Sequence, residues 1–286
     1  MANLRVAHAF ILALVVALLG ACIKQKFSIP EKRIVVVIPS YNNSDWCAKN
    51  LCSVFSQQYT NYRVVYYDDC STDDTFVQAQ ELVHTQQQEH RTQIIKSPVR
   101  VGALAHHYAA IQQTDPHEII VSLDGDDWFA HSQVLQRINK EYQNPDIWLT
   151  YGQFQNWPTG VMGWCKQIPE AVVASNTFRE FGFWSAQPRT YYAWLGKLIN
   201  RADLLDDNGN FFTVAGDVAL MFPLLEMAGH RFRFISDVLC IRNVATPIND
   251  FKVHRDEQKR ITRFIRNKQK YQPIVFGTDA SGMFKH

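Results

Sequence analysis

The sequence predicts an α/β protein: a parallel, twisted sheet with helices on both faces. Three observations carry that prediction. Short β-branched runs occur four times, each followed by a segment of helical periodicity, the signature of a doubly wound sheet. The first run, RIVVVIP at 33–39, is apolar at nearly every position, as a strand buried on both faces must be. Three polar clusters, PSYNN, DDCSTDD and DGDD, directly follow strands, where such sheets bind their ligands.

The elements follow in order. After the 33–39 strand, SYNN breaks the run, and Ser44 is a suitable N-cap for a helix that places Cys47, Leu51, Val54 and Phe55 on one face. YRVVYY at 62–67 is the second strand. The turn DDCSTDDT then leads into a helix carrying Phe76, Ala79 and Val83. TQII at 92–95 is a short third strand, and past Gly102 a helix aligns Leu104, Tyr108 and Ile111. EIIVSL at 118–123 is the fourth strand, and Ser132 opens a helix with Leu135, Ile138 and Tyr142 inward.

Regularity fades between 146 and 210, where aromatics accumulate, among them Trp148, Trp164, Phe183 and Tyr191. Most of these suit a core, and a few suit a platform for a sugar or another flat ligand. Residues 212–229 read as an approach loop and a buried helix that ends at Gly229, with Asp217 near its start. The stretch 252–270 holds eight Lys or Arg and two acids around Ile261, Phe264 and Ile265. That is an amphipathic basic helix, suited to a solvated face or a membrane surface. The chain thus divides into an N-terminal segment 1–26, an α/β half 27–145, a second half of the same domain 146–276, and a frayed tail 277–286.

The 286 residues are 47% hydrophobic with net charge +2, ordinary globular values that give no reason to expect nucleic acid as a partner. Residues 6–23 hold no Asp, Glu, Lys or Arg, a length between a signal peptide and a short membrane helix. LLGAC within it is like a lipoprotein processing site at Cys22. Arg5 precedes the segment and Lys24, Lys26, Lys32 and Arg33 follow it, a bias that puts the following domain on the cytoplasmic face. The six cysteines match neither zinc spacing nor a dense disulfide framework, and reduced thiols suit the same compartment.

VSLDGDDWF at 121–129 sets Asp124, Asp126 and Asp127 within four positions. A solvated acidic turn is one reading. The other is a site for a hard divalent cation, Mn²⁺ or Mg²⁺, held by one or two carboxylates and completed by substrate phosphates. An EF-hand fits poorly, because Gly125 separates the first two acids instead of following three alternating ligands.

VVVIPSYNN, VVYYDDCSTDDT, RVGALAHHYAA, SLDGDDWF and AGDVALMFPLLEMAG, in this order, resemble the family 2 glycosyltransferases of GT-A fold over roughly residues 33–245. The resemblance implies a Rossmann-like, mainly parallel sheet with a C-terminal acceptor-side region. It implies an inverting transfer from a nucleotide-sugar, most simply a UDP-sugar, to a glycan, lipid or protein acceptor. Carried over by position, Pro39 and Tyr41 line the base pocket, Asp68 and Asp69 meet the base, and Arg100 stands in the third donor block. Asp124 and Asp126 or Asp127 meet ribose and metal, Asp217 is the general base, and His254 is a further metal ligand. Cys70 stands where the family often has Gly, His106 and His107 replace the usual third-block signature, and Gly216 precedes Asp217 where Glu is commoner. His106 and His107 are expected to be structural or on the surface.

Two rival classes remain. A nucleotidyltransferase needs a Gly-rich, basic phosphate loop after the first strand, and PSYNN has none. An exported lipoprotein with a non-catalytic nucleotide- or sugar-binding domain fits LLGAC but leaves the retained acids unexplained.

Overall fold

Burial along its whole length makes β1 (Ile34–Ser40) the centre of a parallel half-sheet. In the computed structural model, which describes residues 29–246 and 255–275, it is flanked in parallel by β2 (Tyr62–Asp68) and β4 (Ile119–Ser122), with β3 (Thr92–Lys96) outside β2. The readings made for 1–26, His254 and 277–286 lie outside the described residues. Alternation along β1 serves two cores. Val35 and Val37 pack with α3 (Ala103–Gln113) on one face, while Ile34, Val36 and Ile38 pack with α1 (Ser44–Phe55), α2 (Thr75–Thr85) and α4 (Val134–Glu141) on the other.

The order 3-2-1-4 matters for function. The chain winds outward from β1 to β3 and then returns to the other side of β1. The crevice beyond the carboxyl ends of β1 and β4 is therefore a topological switch point. Ser40 is paired with Asp68, so the polar clusters after β1 and β2 emerge side by side.

The α1 start differs from expectation. Ser44 is the first helical residue and does not cap the helix; its amide donates to Asp73 Oδ2 at 3.1 Å. Asp73 Oδ1 accepts from the Thr75 amide at 3.0 Å, so one acid of the second cluster satisfies the starts of two helices. Burial raises the Asp73 pKa, but hydrogen bonds from Thr75 and Ser44 outweigh it and hold the carboxyl below its ordinary value.

The second half completes an eight-stranded mixed sheet. β7 (Arg189–Tyr192) runs antiparallel between β4 and β6 (Leu149–Trp157), followed by β8 (Phe232–Asn243) and the two-residue β5 (Trp128–Phe129). Short helices α5 (Glu170–Ala174) and α6 (Ala193–Lys197) connect these strands. The expected helix is α7 (Gly216–Ala228), buried from Val218 to Ala228 and ended by Gly229 at φ +56°. The basic stretch forms α8 (Arg255–Asn267), with Ile261 and Ile265 buried as its apolar stripe requires.

Burying Glu226 within α7 demands a partner. Arg179 supplies a two-pronged ion pair, Nε to Oε1 at 2.6 Å and Nη2 to Oε2 at 2.8 Å. Its remaining nitrogen donates to the Ile265 and Lys268 carbonyls at 2.9 and 3.0 Å, which ties the end of α8 to α7. Among the described residues no helix is long and apolar enough to cross a membrane.

Candidate active site

A cleft of about 740 Å³ lies over the switch point and gathers residues from most of the sheet. Its β1 end is built by Pro39, Ser40 and Tyr41. The Tyr41 ring lies 3.9 Å from the Arg100 guanidinium, a cation–π pair that presents a flat, polar-edged wall. Tyr41 was expected in the base pocket and Arg100 in the third donor block, and both line this end of the cleft.

Asp69 stands in the same wall, and its oxygens face three donors of the chain. The Val101 amide reaches Oδ1 at 2.8 Å, the Gly102 amide reaches Oδ2 at 2.9 Å, and His106 Nε2 lies 2.8 Å from Oδ1. Burial raises its pKa, yet the His106 and amide hydrogen bonds outweigh it, so the carboxyl sits below its ordinary value. Gly102 has φ +86°, a backbone state that favours glycine, and this lets its amide turn toward Asp69. Asp69 thus fixes the loop that carries Arg100. Asp68 is fully buried, takes the Ser71 amide on Oδ2 at 3.2 Å, and does not line the cleft. Cys70, where glycine was expected, has φ +62° and bears the cost of a side chain in the left-handed region.

The acidic loop follows β4. A Cβ on Gly125 would meet Ser40 Oγ at 2.5 Å and Ser40 Cα at 2.9 Å, so only glycine allows the loop to lie against the end of β1. Its amide bonds the Pro39 carbonyl at 3.0 Å. Asp124, Asp126 and Asp127 all line the cleft. Burial first, then repulsion from Asp124, pushes the Asp126 carboxyl up to about 6. Asp127 is raised well above its ordinary value by burial and by its two acidic neighbours. One Asp127 oxygen already accepts the Asn243 amide at 2.7 Å, so this acid also ties the loop to β8.

Arg189, absent from the sequence reading, organises the centre. One guanidinium nitrogen lies 3.5 Å from Asp124 Oδ1 and the other 3.6 Å from Asp217 Oδ2. Burial works against its charge, but Asp124 and Asp217 outweigh that and raise its pKa. Gln187 adds a hydrogen bond to Asp124 Oδ2. Asp217, second residue of α7, reaches the same cleft and is about one-third exposed. His106 and His107 are both buried, which fits the structural and not the surface alternative of the sequence reading. His107 lines the cleft, and burial, then the nearby Arg189 charge, pushes its pKa down to about 3, which keeps it neutral. Neither Arg189 nor Gln187 belongs to a motif; the one available signal was a charge opening an aromatic strand, RTYYAW.

Among the described residues no three His, Cys, Asp or Glu side chains converge as a self-sufficient metal centre. A cation shared with substrate phosphates needs only one or two carboxylates. Asp124 and Asp126, both lining the cleft, offer that donor set.

A parallel half-sheet with an acid-lined cleft at its switch point, closed by an antiparallel strand and a helix bearing a further acid, is the frame of a GT-A glycosyltransferase. The chain belongs to Glycosyl transferase family 2, which matches residues 35–222. A search of curated proteins returned no match. Among solved structures, Staphylococcus aureus TarS 1–349 with UDP-GlcNAc superposes with a TM-score of 0.58 at 16% identity, over 82% of this chain and 65% of that one. The mannosyltransferase PcManGT of Pyrobaculum calidifontis, with GDP-Man and Mn²⁺, gives 0.54 at 18% over 85% and 66%. Glucosyl-3-phosphoglycerate synthase of Mycobacterium tuberculosis, with Mn²⁺, UDP and glucosyl-3-phosphoglycerate, gives 0.56 at 14% over 82% and 80%. At these identities the likeness is one of fold. The chain spans about two-thirds of the TarS chain.

Proposed function

We propose that this glycosyltransferase is metal-dependent and inverting, and that it moves a sugar from a UDP-sugar to an acceptor hydroxyl on a glycan, lipid or protein. The observation that carries the proposal is the Arg189 bridge, which holds Asp124 of the acidic loop and Asp217 of α7 on one guanidinium. It fixes a proton acceptor relative to the loop that would meet the donor.

The base and ribose would occupy the Tyr41, Arg100 and Asp69 end of the cleft. Mn²⁺ or Mg²⁺, held by Asp124 and Asp126 with the diphosphate oxygens, would neutralise charge on the leaving group. Asp127 would steady the loop, and His254, outside the described residues, remains a proposed additional ligand. As the acceptor oxygen bonds to the anomeric carbon, the carbon–oxygen bond to the diphosphate breaks. The hydroxyl proton would pass to Asp217, whose partly exposed carboxylate lines the cleft. Attack from the side opposite the diphosphate inverts the anomeric centre. Aromatic walls at Trp164 and Phe183 give the sugar rings a flat surface. The test is a donor screen on the purified full chain with Mn²⁺, following release of each nucleoside diphosphate. Release from no donor would reject the transferase role.

We also propose membrane attachment through residues 1–26, with the catalytic domain in the cytoplasm; a lipoprotein anchored at Cys22 is the alternative. Cys52 is exposed and Cys47 buried, so Cys52 reports orientation without denaturation. An impermeant thiol reagent is expected to label Cys52 only after cells are permeabilised. Labelling of intact cells would reverse the assignment.

A further inference from the structure

We infer that His107 reads the transferred sugar, donating a hydrogen bond from Nε2 to one of its hydroxyl oxygens. The inference rests on the transferase reading above and names a specificity-determining residue for it.

Two adjacent histidines of α3 serve different ends of the cleft. His106 is spent on Asp69, its Nε2 lying 2.8 Å from Oδ1, and it does not line the cleft. His107 does line it, although only 5% of the residue is exposed. Of its two ring nitrogens, Nδ1 is buried without a hydrogen-bond partner. A buried polar atom with no partner is an exception that calls for a reason. Burying an unpaired lone pair is easier than burying an unpaired N–H, so the ring proton belongs on Nε2. That leaves Nε2 as the nitrogen offered to the cleft, and as a donor. Arg189, the charge beside the ring, carries only donors and cannot accept from it. A ligand oxygen can.

The neighbours of His107 say which part of the ligand this is. Leu104, one turn earlier on the same face of α3, lies under the start of α7, where a Cβ on Gly216 would come within 3.1 Å of Leu104 Cβ. Gly216 directly precedes Asp217. Arg189 in turn faces both Asp124 and Asp217. His107 thus belongs to the Asp124–Arg189–Asp217 bridge, while His106 belongs to the base end with Asp69. In the proposed reaction the transferred sugar spans that bridge, its anomeric carbon between the leaving diphosphate and the acceptor oxygen at Asp217. The neutral ring adds no charge for a phosphate to answer. A hydroxyl, by contrast, needs only the single donor that Nε2 provides.

The experiment titrates the full chain, in Mg²⁺ and without acceptor, with UDP, UDP-glucose, UDP-galactose and UDP-N-acetylglucosamine. UDP lacks the sugar and so reports the donor site without the contact at issue. His107→Phe keeps a ring but has no N–H, and His107→Gln carries an amide N–H at nearly the reach of Nε2. For the UDP-sugar that the wild type binds best, His107→Phe should bind roughly tenfold more weakly, with UDP affinity unchanged. His107→Gln should recover most of that loss. A fall in UDP and UDP-sugar affinity by the same factor would assign His107 to the diphosphate or to the fold, and would overturn the inference. So would unchanged affinities in His107→Phe, a His107→Gln variant as weak as His107→Phe, or a wild type that binds UDP but none of the three UDP-sugars. Failure of the wild type to bind UDP would instead overturn the transferase reading itself.

Discussion

Replacing Asp217 with Asn is expected to lower sugar transfer by ~10²–10⁴-fold, the usual cost of removing a general base, while UDP affinity persists. The amide keeps the size of the side chain and its place at the start of α7. It cannot take a proton at neutral pH, and it surrenders the charge facing Arg189, 3.6 Å away. Arg189 keeps its second partner, Asp124 at 3.5 Å, so the donor loop should hold its position. Steady-state transfer and calorimetric UDP binding separate the two effects. A parallel collapse of both would assign Asp217 to the donor site and leave the reaction without its base.

The largest expected effect on stability lies away from the chemistry, at Arg179 and Glu226. Both side chains are almost completely buried. Glu226→Leu alone would leave a guanidinium stranded in the core, at a cost of roughly 3–5 kcal/mol, or about 10 °C in Tm. Arg179→Met alone should cost as much, for the same reason in the opposite sign. The double variant should recover a large part of either loss, because no unpaired charge remains. Its deficit should report the carbonyls of Ile265 and Lys268 that lose their donor and the Tyr271 amide that loses Glu226 Oε2, and so the anchoring of α8 and the segment after it. Thermal melts of the three variants decide it: losses that simply add would mean that the pair is not the source of the stability.

The parallel half was legible because every β-α unit carries its own periodicity. β1 through β4, the helices beside them and the three polar clusters follow from local pattern. The switch point follows from topology once those strands are known. β6, β7 and β8 were not legible for a physical reason. β7 pairs Tyr192 with Ile119 and Tyr191 with Leu149, contacts distant in sequence that no local pattern specifies. Arg189 was lost with them, although it opens β7 and joins the two acids that the sequence did single out. His106, read as structural or on the surface, is buried against Asp69 because the loop after β3 returns to the end of β2. The apolar stripe of α8 could be read from 252–270, but the surface its basic face would meet could not, since that depends on where α7 places Phe212.

The central claim is that the acidic loop holds a nucleoside diphosphate through a divalent cation, and UDP binding tests it most directly. UDP is titrated calorimetrically into the full wild-type chain and into Asp126→Asn, each in Mn²⁺ and again in excess chelator. Asp126 suits the substitution because Asp127 also holds the Asn243 amide, and changing it would disturb β8. The account predicts saturable binding to the wild type in Mn²⁺, its loss in chelator, and binding to Asp126→Asn at least about tenfold weaker. Equal UDP affinity with and without metal, unchanged in Asp126→Asn, would contradict it.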